Sequence, residues 1–147
     1  MAALPSAVLF ACSMNSVRSP MAEAIMKHLH GHRVYVDSVG ARPGDHDPFV
    51  DIVMDEIGID MSKHRVKTFD QLDDDYFDII VTLSPEAHHK ALEMTRTMAC
   101  DVEFWPTLDA TAVDGSRDAR LDAYRAVRDT LLRRISERFS RPPVADV

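Results

Sequence analysis

Ala7-Val8-Leu9-Phe10-Ala11-Cys12-Ser13-Met14-Asn15-Ser16-Val17-Arg18-Ser19-Pro20-Met21-Ala22-Glu23 is the stretch on which the reading of this chain turns. Residues Ala7 to Ala11 form an unbroken apolar run ending at a polar loop, the pattern of a buried parallel strand entering a functional turn. A helix is expected beyond the loop: Ser19 can cap it, Pro20 suits its first position, and Met21, Ala22, Ile25, Met26 and Leu29 recur at helical spacing. A cysteine between a strand and a helix N-terminus stands where unpaired backbone N–H groups and the helix dipole favour an anion, the thiolate included. Arg18 closes the loop as a bidentate donor for a tetrahedral oxyanion, so one segment supplies nucleophile, backbone nest and counter-charge. The Cys-x5-Arg spacing alone is a weak signal. Its force comes from its place at the C-terminal edge of the first strand, where open parallel sheets bind ligands.

Outward from this loop the chain keeps a strand–helix rhythm. Gly31 closes the first helix, and Val34 to Val39 reads as the second strand. Asp47-Pro48 opens a second helix with Phe49, Ile52, Val53 and Ile57 on its apolar face, stopped by Gly58. A third strand is expected over Ile79 to Leu83, a short helix from Pro85 to about Met94, and a fourth strand over Val102 to Trp105. The last helix begins near Ser116 or Arg117 and presents Leu121, Tyr124, Val127, Leu131, Ile135 and Phe139 on one face. Asp70, Asp73, Asp74, Asp75 and Asp78 mark a solvated connection, and residues 141–147, with Pro142-Pro143, a flexible tail. No repeat or linker interrupts residues 1–140, which read as one three-layer α/β domain.

The 147 residues carry 17 Lys+Arg against 24 Asp+Glu, a net charge of −7, and are 46% hydrophobic, as expected of a chain that buries one core without metals or disulfides. No apolar run approaches the roughly 18 residues of a membrane span. Met1 leads into an apolar segment with neither a basic region nor a cleavage pattern, so a cytoplasmic address is expected. The acidic balance disfavours nucleic acid, and the arginines from Arg125 to Arg141 are interleaved with Asp129 and Glu137. Two cysteines, Cys12 and Cys100, are too few for a disulfide framework or a zinc site, so no metal or cofactor is expected.

Val8 to Cys12, Asn15 and Arg18-Ser19-Pro20-Met21-Ala22-Glu23 together resemble the phosphate loop of the low-molecular-weight protein tyrosine phosphatase family, which includes arsenate reductases. The similarity spans nearly the whole chain and implies a four-stranded parallel sheet flanked by helices. By resemblance, Cys12 is the nucleophile and Arg18 binds the equatorial oxygens. Ser13, Met14, Asn15, Ser16 and Val17 complete the oxyanion-binding loop, which Asn15 and Ser19 brace. Asp37-Ser38-Val39-Gly40 resembles the segment whose serine bonds into the loop, and Gly58-Ile59-Asp60 through His64-Arg65 the one whose histidine supports the asparagine. Ser38 and His64 are therefore supporting candidates. The leaving oxygen of a phosphomonoester needs a proton, which the family takes from an aspartate after the fourth strand, usually in Asp-Pro. Here that place falls on Asp109, followed by Ala110, with Asp114 as the fallback.

Departures from the family shape the expected substrate. The stretches that wall a phenyl ring in the tyrosine phosphatases read Ala41 to His46 and Ala110 to Val113 here, without an aromatic. Ser84 and Ala91 stand where thioredoxin-coupled arsenate reductases carry relay cysteines, and Val17 where many members carry a protective one. Met14 replaces a glycine and would be strained if its φ were positive. The resulting expectation is a cysteine-dependent phosphomonoester hydrolase with a phosphocysteine intermediate, monomeric or weakly dimeric. It would act on a phosphoprotein or small phosphate ester and bind oxyanions such as phosphate. Arsenate reduction with an external small thiol, and a phosphate-binding or partner module with weakened turnover, are the alternatives.

Overall fold

The computed structural model describes residues 4–72 and 76–140. Asp73, Asp74 and Asp75 of the acidic connection and the tail 141–147 lie outside the described residues.

Four strands, β1 (Ala7–Cys12), β2 (Tyr35–Gly40), β3 (Ile79–Thr82) and β4 (Asp101–Phe104), form one parallel sheet in the order β2-β1-β3-β4. Four helices connect and follow them: α1 (Arg18–His30), α2 (Pro48–Asp55), α3 (Pro85–Met94) and α4 (Arg117–Arg138). β1 is central and fully buried, which is why its sequence is apolar without alternation. Its side chains still divide by the period of two. Val8, Phe10 and Cys12 face a core shared with Ile25 of α1, Val53 of α2 and Leu131 of α4, whereas Leu9 and Ala11 face one shared with Ala87 and Ala91 of α3. This is the three-layer arrangement the family resemblance implies.

Capping chemistry sets most helix starts. Asp47 accepts from the Phe49 N–H with Pro48 next in line, Ser84 caps α3 and Ser116 caps α4 through Ala119. Gly58, with φ 77°, ends the α2 segment as a left-handed stop. Strand limits shift by a residue from the sequence expectation, because ladder pairing rather than side-chain apolarity defines them. Cys12 joins β1 by pairing with Gly40, and Asp101 joins β4 by pairing with Ile79.

The start of α1 departs from expectation in a way that matters. The helix begins at Arg18, its N-cap is Val17, and no side chain caps it. Ser19 lies within the first turn and turns its hydroxyl inward. The first N–H groups of the helix are thereby left to the loop rather than to a capping oxygen.

Candidate active site

The sequence between β1 and α1 folds back over the end of the sheet, and its side chains interlock. The Cys12 sulfur is 2.9 Å from the Ser19 hydroxyl and receives the Ser19 N–H at 3.4 Å. The Asn15 amide donates to Ser19 Oγ at 2.8 Å and to Ser38 Oγ at 2.9 Å, and its carbonyl accepts from the Lys67 N–H at 3.1 Å. Since Ser19 Oγ already accepts from Asn15, its own proton has two acceptors, the Cys12 sulfur and, farther off at 3.3 Å, the Val39 carbonyl. The Ser19 hydroxyl and N–H thus both converge on the sulfur.

The backbone strain foreseen at Met14 falls one residue later. Asn15, at φ 54°, is the positive-φ non-glycine among the described residues. Asparagine tolerates this region better than most side chains. Met14 is 40% exposed and keeps a negative φ. The following segment presses against the loop so closely that a Cβ on Gly40 would come within 2.6 Å of the Met14 carbonyl carbon, and one on Gly44 within 2.4 Å of the Met14 oxygen and 2.7 Å of Ser16 Oγ. Only glycine fits at these two contacts. Val17 is buried, and Ser16 reaches its own turn through the Met14 carbonyl at 3.5 Å.

Behind the loop, Ser38 donates to Glu23, which also receives Lys27 and faces His64 Nδ1 at 3.5 Å. His64, expected from the resemblance to support Asn15, is linked to it through Glu23 and Ser38. Glu23 projects from α1 into the space between them and intercepts the ring. Burial pushes the Glu23 carboxyl up, but hydrogen bonds from His64, Lys27 and Ser38 outweigh it and hold the carboxyl down at about 2. Glu23 is thus a charged hub that sequence reasoning passed over. Its signal was an acidic residue on an otherwise buried helix face.

On the open side, Arg18 Nη1 donates to the Thr107 carbonyl at 3.0 Å and Nη2 lies 3.4 Å from Ser13 Oγ, which in turn donates to Ser84 Oγ at 3.1 Å. Ser84, noted in the sequence only as the place of a missing cysteine, therefore ties α3 to the loop. Thr107, also unforeseen, brings the segment carrying Asp109 against Arg18. Asp109 is exposed and caps a 3-10 turn, Ala110–Ala112, accepting from the Thr111 N–H at 3.0 Å and its hydroxyl at 2.6 Å. Ala110 is 2% exposed. The turn is held by this cap at a position where a proline would also fit, since the first N–H of a helical turn has no internal partner. Asp114 lies beyond the turn and is exposed.

Cys100 sits just before β4, at the other end of the sheet from Cys12. The register places the two roughly 20 Å apart, five residues along and two strands across. A disulfide needs Cα atoms within about 7 Å. Burial, Asp101 and Asp78 push the Cys100 thiol up.

No helix among the described residues is long and apolar enough to cross a membrane. An arsenate reductase of Staphylococcus epidermidis is 31% identical over 132 residues, covering 87% of this chain and 96% of that protein. A Synechocystis glutaredoxin arsenate reductase is 33% identical over 76 residues, 52% of this chain, and the match spans 58% of its length. Among solved structures, an arsenate reductase in the phosphate-binding state superposes with a TM-score of 0.71 at 25% identity, over 92% of this chain and 97% of that one. Residues 7–138 match the low molecular weight phosphotyrosine protein phosphatase family from the first strand to the last helix. With its cysteine loop, four-stranded parallel sheet and flanking helices, the chain belongs to that family.

Proposed function

We propose that the chain is a cysteine-dependent phosphomonoester hydrolase acting on a phosphoprotein or a small phosphate ester. The observation that carries this reading is the Cys12 sulfur, 2.9 Å from Ser19, at the base of a loop closed by Arg18. The sulfur attacks phosphorus, an S–P bond forms, the bond to the leaving oxygen breaks, and Asp109 supplies that oxygen with a proton. Arg18 and the loop N–H groups hold the three equatorial oxygens as charge builds on them. Water then attacks the phosphocysteine, giving a proton to Asp109; the S–P bond breaks and the thiolate returns.

Arsenate reduction is the second reading, favoured by the named relatives and by the aromatic-free stretches beside the site. The first step is the same attack, on arsenic. An external thiolate then attacks Cys12, the S–As electron pair passes to arsenic, and arsenite leaves a mixed disulfide that a second thiol reduces. The binding-module reading loses support, since Met14 is unstrained and Ala110 lies in a capped turn.

Release of p-nitrophenol from its phosphate ester, run beside arsenate reduction with glutathione or mycothiol and their redoxins, tests the assignment. Phosphatase turnover without thiol-dependent arsenite formation is expected. Arsenite formation alone reverses the order of the two readings, and neither activity leaves the binding module.

A further inference from the structure

Behind the Asp109 turn lies a cavity of about 380 Å³, formed where the loop after β4 crosses the face of α4. That volume falls within the range of small-molecule sites, roughly 300–1,000 Å³. Pro106, Ala110 and Val113 wall it on the loop side, Ala126 and Val127 on the helix side, and Arg134 reaches it from the next turns of α4. These walls are aliphatic, and two of them, Ala110 and Ala126, are small residues that leave the space unfilled; Thr107, Asp109, Thr130 and Arg133 complete the lining.

Arg134 supplies the second observation. Its Nη1 is buried and without a hydrogen-bond partner among the described residues. Three other arginines of α4 are paired, Arg125 and Arg128 with Glu56 and Arg138 with Glu103. An unpaired buried donor is costly, and a turn of the Arg134 guanidinium toward the cavity lets an acceptor on a ligand remove that cost. Mostly aliphatic walls with the two guanidiniums of Arg133 and Arg134, against the single carboxylate of Asp109, fit a molecule having an apolar body and a single anionic head.

We propose that this cavity binds a small amphipathic carboxylate, its apolar body between the loop and Ala126 and its carboxylate on Arg134. Occupancy then holds the Asp109 turn, because Ala110, buried directly after Asp109, forms part of the wall. The binding stands apart from the catalytic reading; the effect on the turn rests on the proposed role of Asp109.

Calorimetry with 4-phenylbutyrate, with 4-phenylbutanamide as its neutral isostere, tests the site on the full chain in saturating phosphate, which fills the catalytic loop. The carboxylate is expected to bind, and the amide to bind roughly tenfold more weakly, the loss of one charged hydrogen bond. Arg134→Gln should erase the difference between the two, and Ala126→Trp, at an exposed position, should abolish binding of both while phosphate binding persists. Equal binding of acid and amide to the wild type overturns the anionic site. Unchanged binding in Ala126→Trp overturns the location. For the turn, bound 4-phenylbutyrate should raise kcat on phenyl phosphate at least about twofold and leave p-nitrophenyl phosphate unchanged, since only the poorer leaving group needs the acid. An unchanged kcat on phenyl phosphate overturns the coupling but not the site. Absence of turnover on either ester, with binding intact, counts against the phosphatase reading instead.

Discussion

Arg18 Nη1 donates to the Thr107 carbonyl at 3.0 Å, so the guanidinium proposed to clasp an oxyanion also anchors the segment that carries Asp109. Arg18→Lys is expected to lose both roles, because a point charge reproduces neither the fork nor its second donor. Cys12→Ser should abolish turnover yet keep phosphate binding, since the loop and Arg18 survive. Turnover assays and phosphate titration of the two variants check this; substantial turnover in Cys12→Ser would sink the covalent mechanism.

Asp109→Asn isolates the proton. Asparagine caps as well as aspartate, so the Thr111 contacts survive and the turn stays in place. Turnover on aryl esters with poor leaving groups should fall roughly 10²- to 10⁴-fold, with a steeper dependence on leaving-group pKa across a substrate series. An effect in Asp114→Asn instead would move the acid to that residue.

Asn15 combines strain and bracing, and two variants separate them. Asn15→Gly relieves the φ of 54° but removes the bonds to Ser19, Ser38 and Lys67, whereas Asn15→Ala suffers both losses. Denaturant melts should place Asn15→Ala about 1 kcal/mol below Asn15→Gly. Equal stabilities would show that the loop relaxes out of the left-handed region once the amide is gone.

Glu23 makes stability depend on pH. Its carboxyl is held near 2 in the folded chain against 4.5 ordinarily. A depressed carboxyl contributes stability that is present above the unfolded value and is lost as pH falls through the folded one. Wild-type stability should therefore drop between about pH 4.5 and 2 more steeply than that of Glu23→Gln. Asp60, Glu56 and Glu103 are also depressed but are common to both proteins. Parallel curves would remove Glu23 from the account.

Peroxide should carry Cys12 past the sulfenic acid without an intrachain disulfide, because Val17 offers no thiol and Cys100 lies across the sheet. Mass spectrometry after prolonged exposure should find Cys12 sulfinic acid and activity that dithiothreitol does not restore. Recovery that disappears in Cys100→Ser would mean the two ends of the sheet meet in solution.

The strand–loop–helix around Cys12 was legible because its signals are local. An apolar run, a polar loop and a 3.6-residue period are each written within a few positions, as are the helix starts at Asp47-Pro48 and Ser116. The family pattern added Ser38, His64 and Asp109 by likeness of segments. What local spacing does not carry is which side chains meet across the sheet. Ser19 reads as a cap and is instead turned to the Cys12 sulfur, because the packed loop offers it Asn15 and that sulfur rather than free N–H groups. Glu23 reads as one more polar residue on α1, yet the fold sets it between Ser38 and His64 and fixes its charge. Ser84 and Thr107 meet the loop only because parallel strands end at one edge of the sheet, gathering residues some 70 and 90 positions apart in the chain. Cys12 and its loop belong to the local order of residues, whereas their bracing and the approach of the Asp109 segment are properties of the packed sheet.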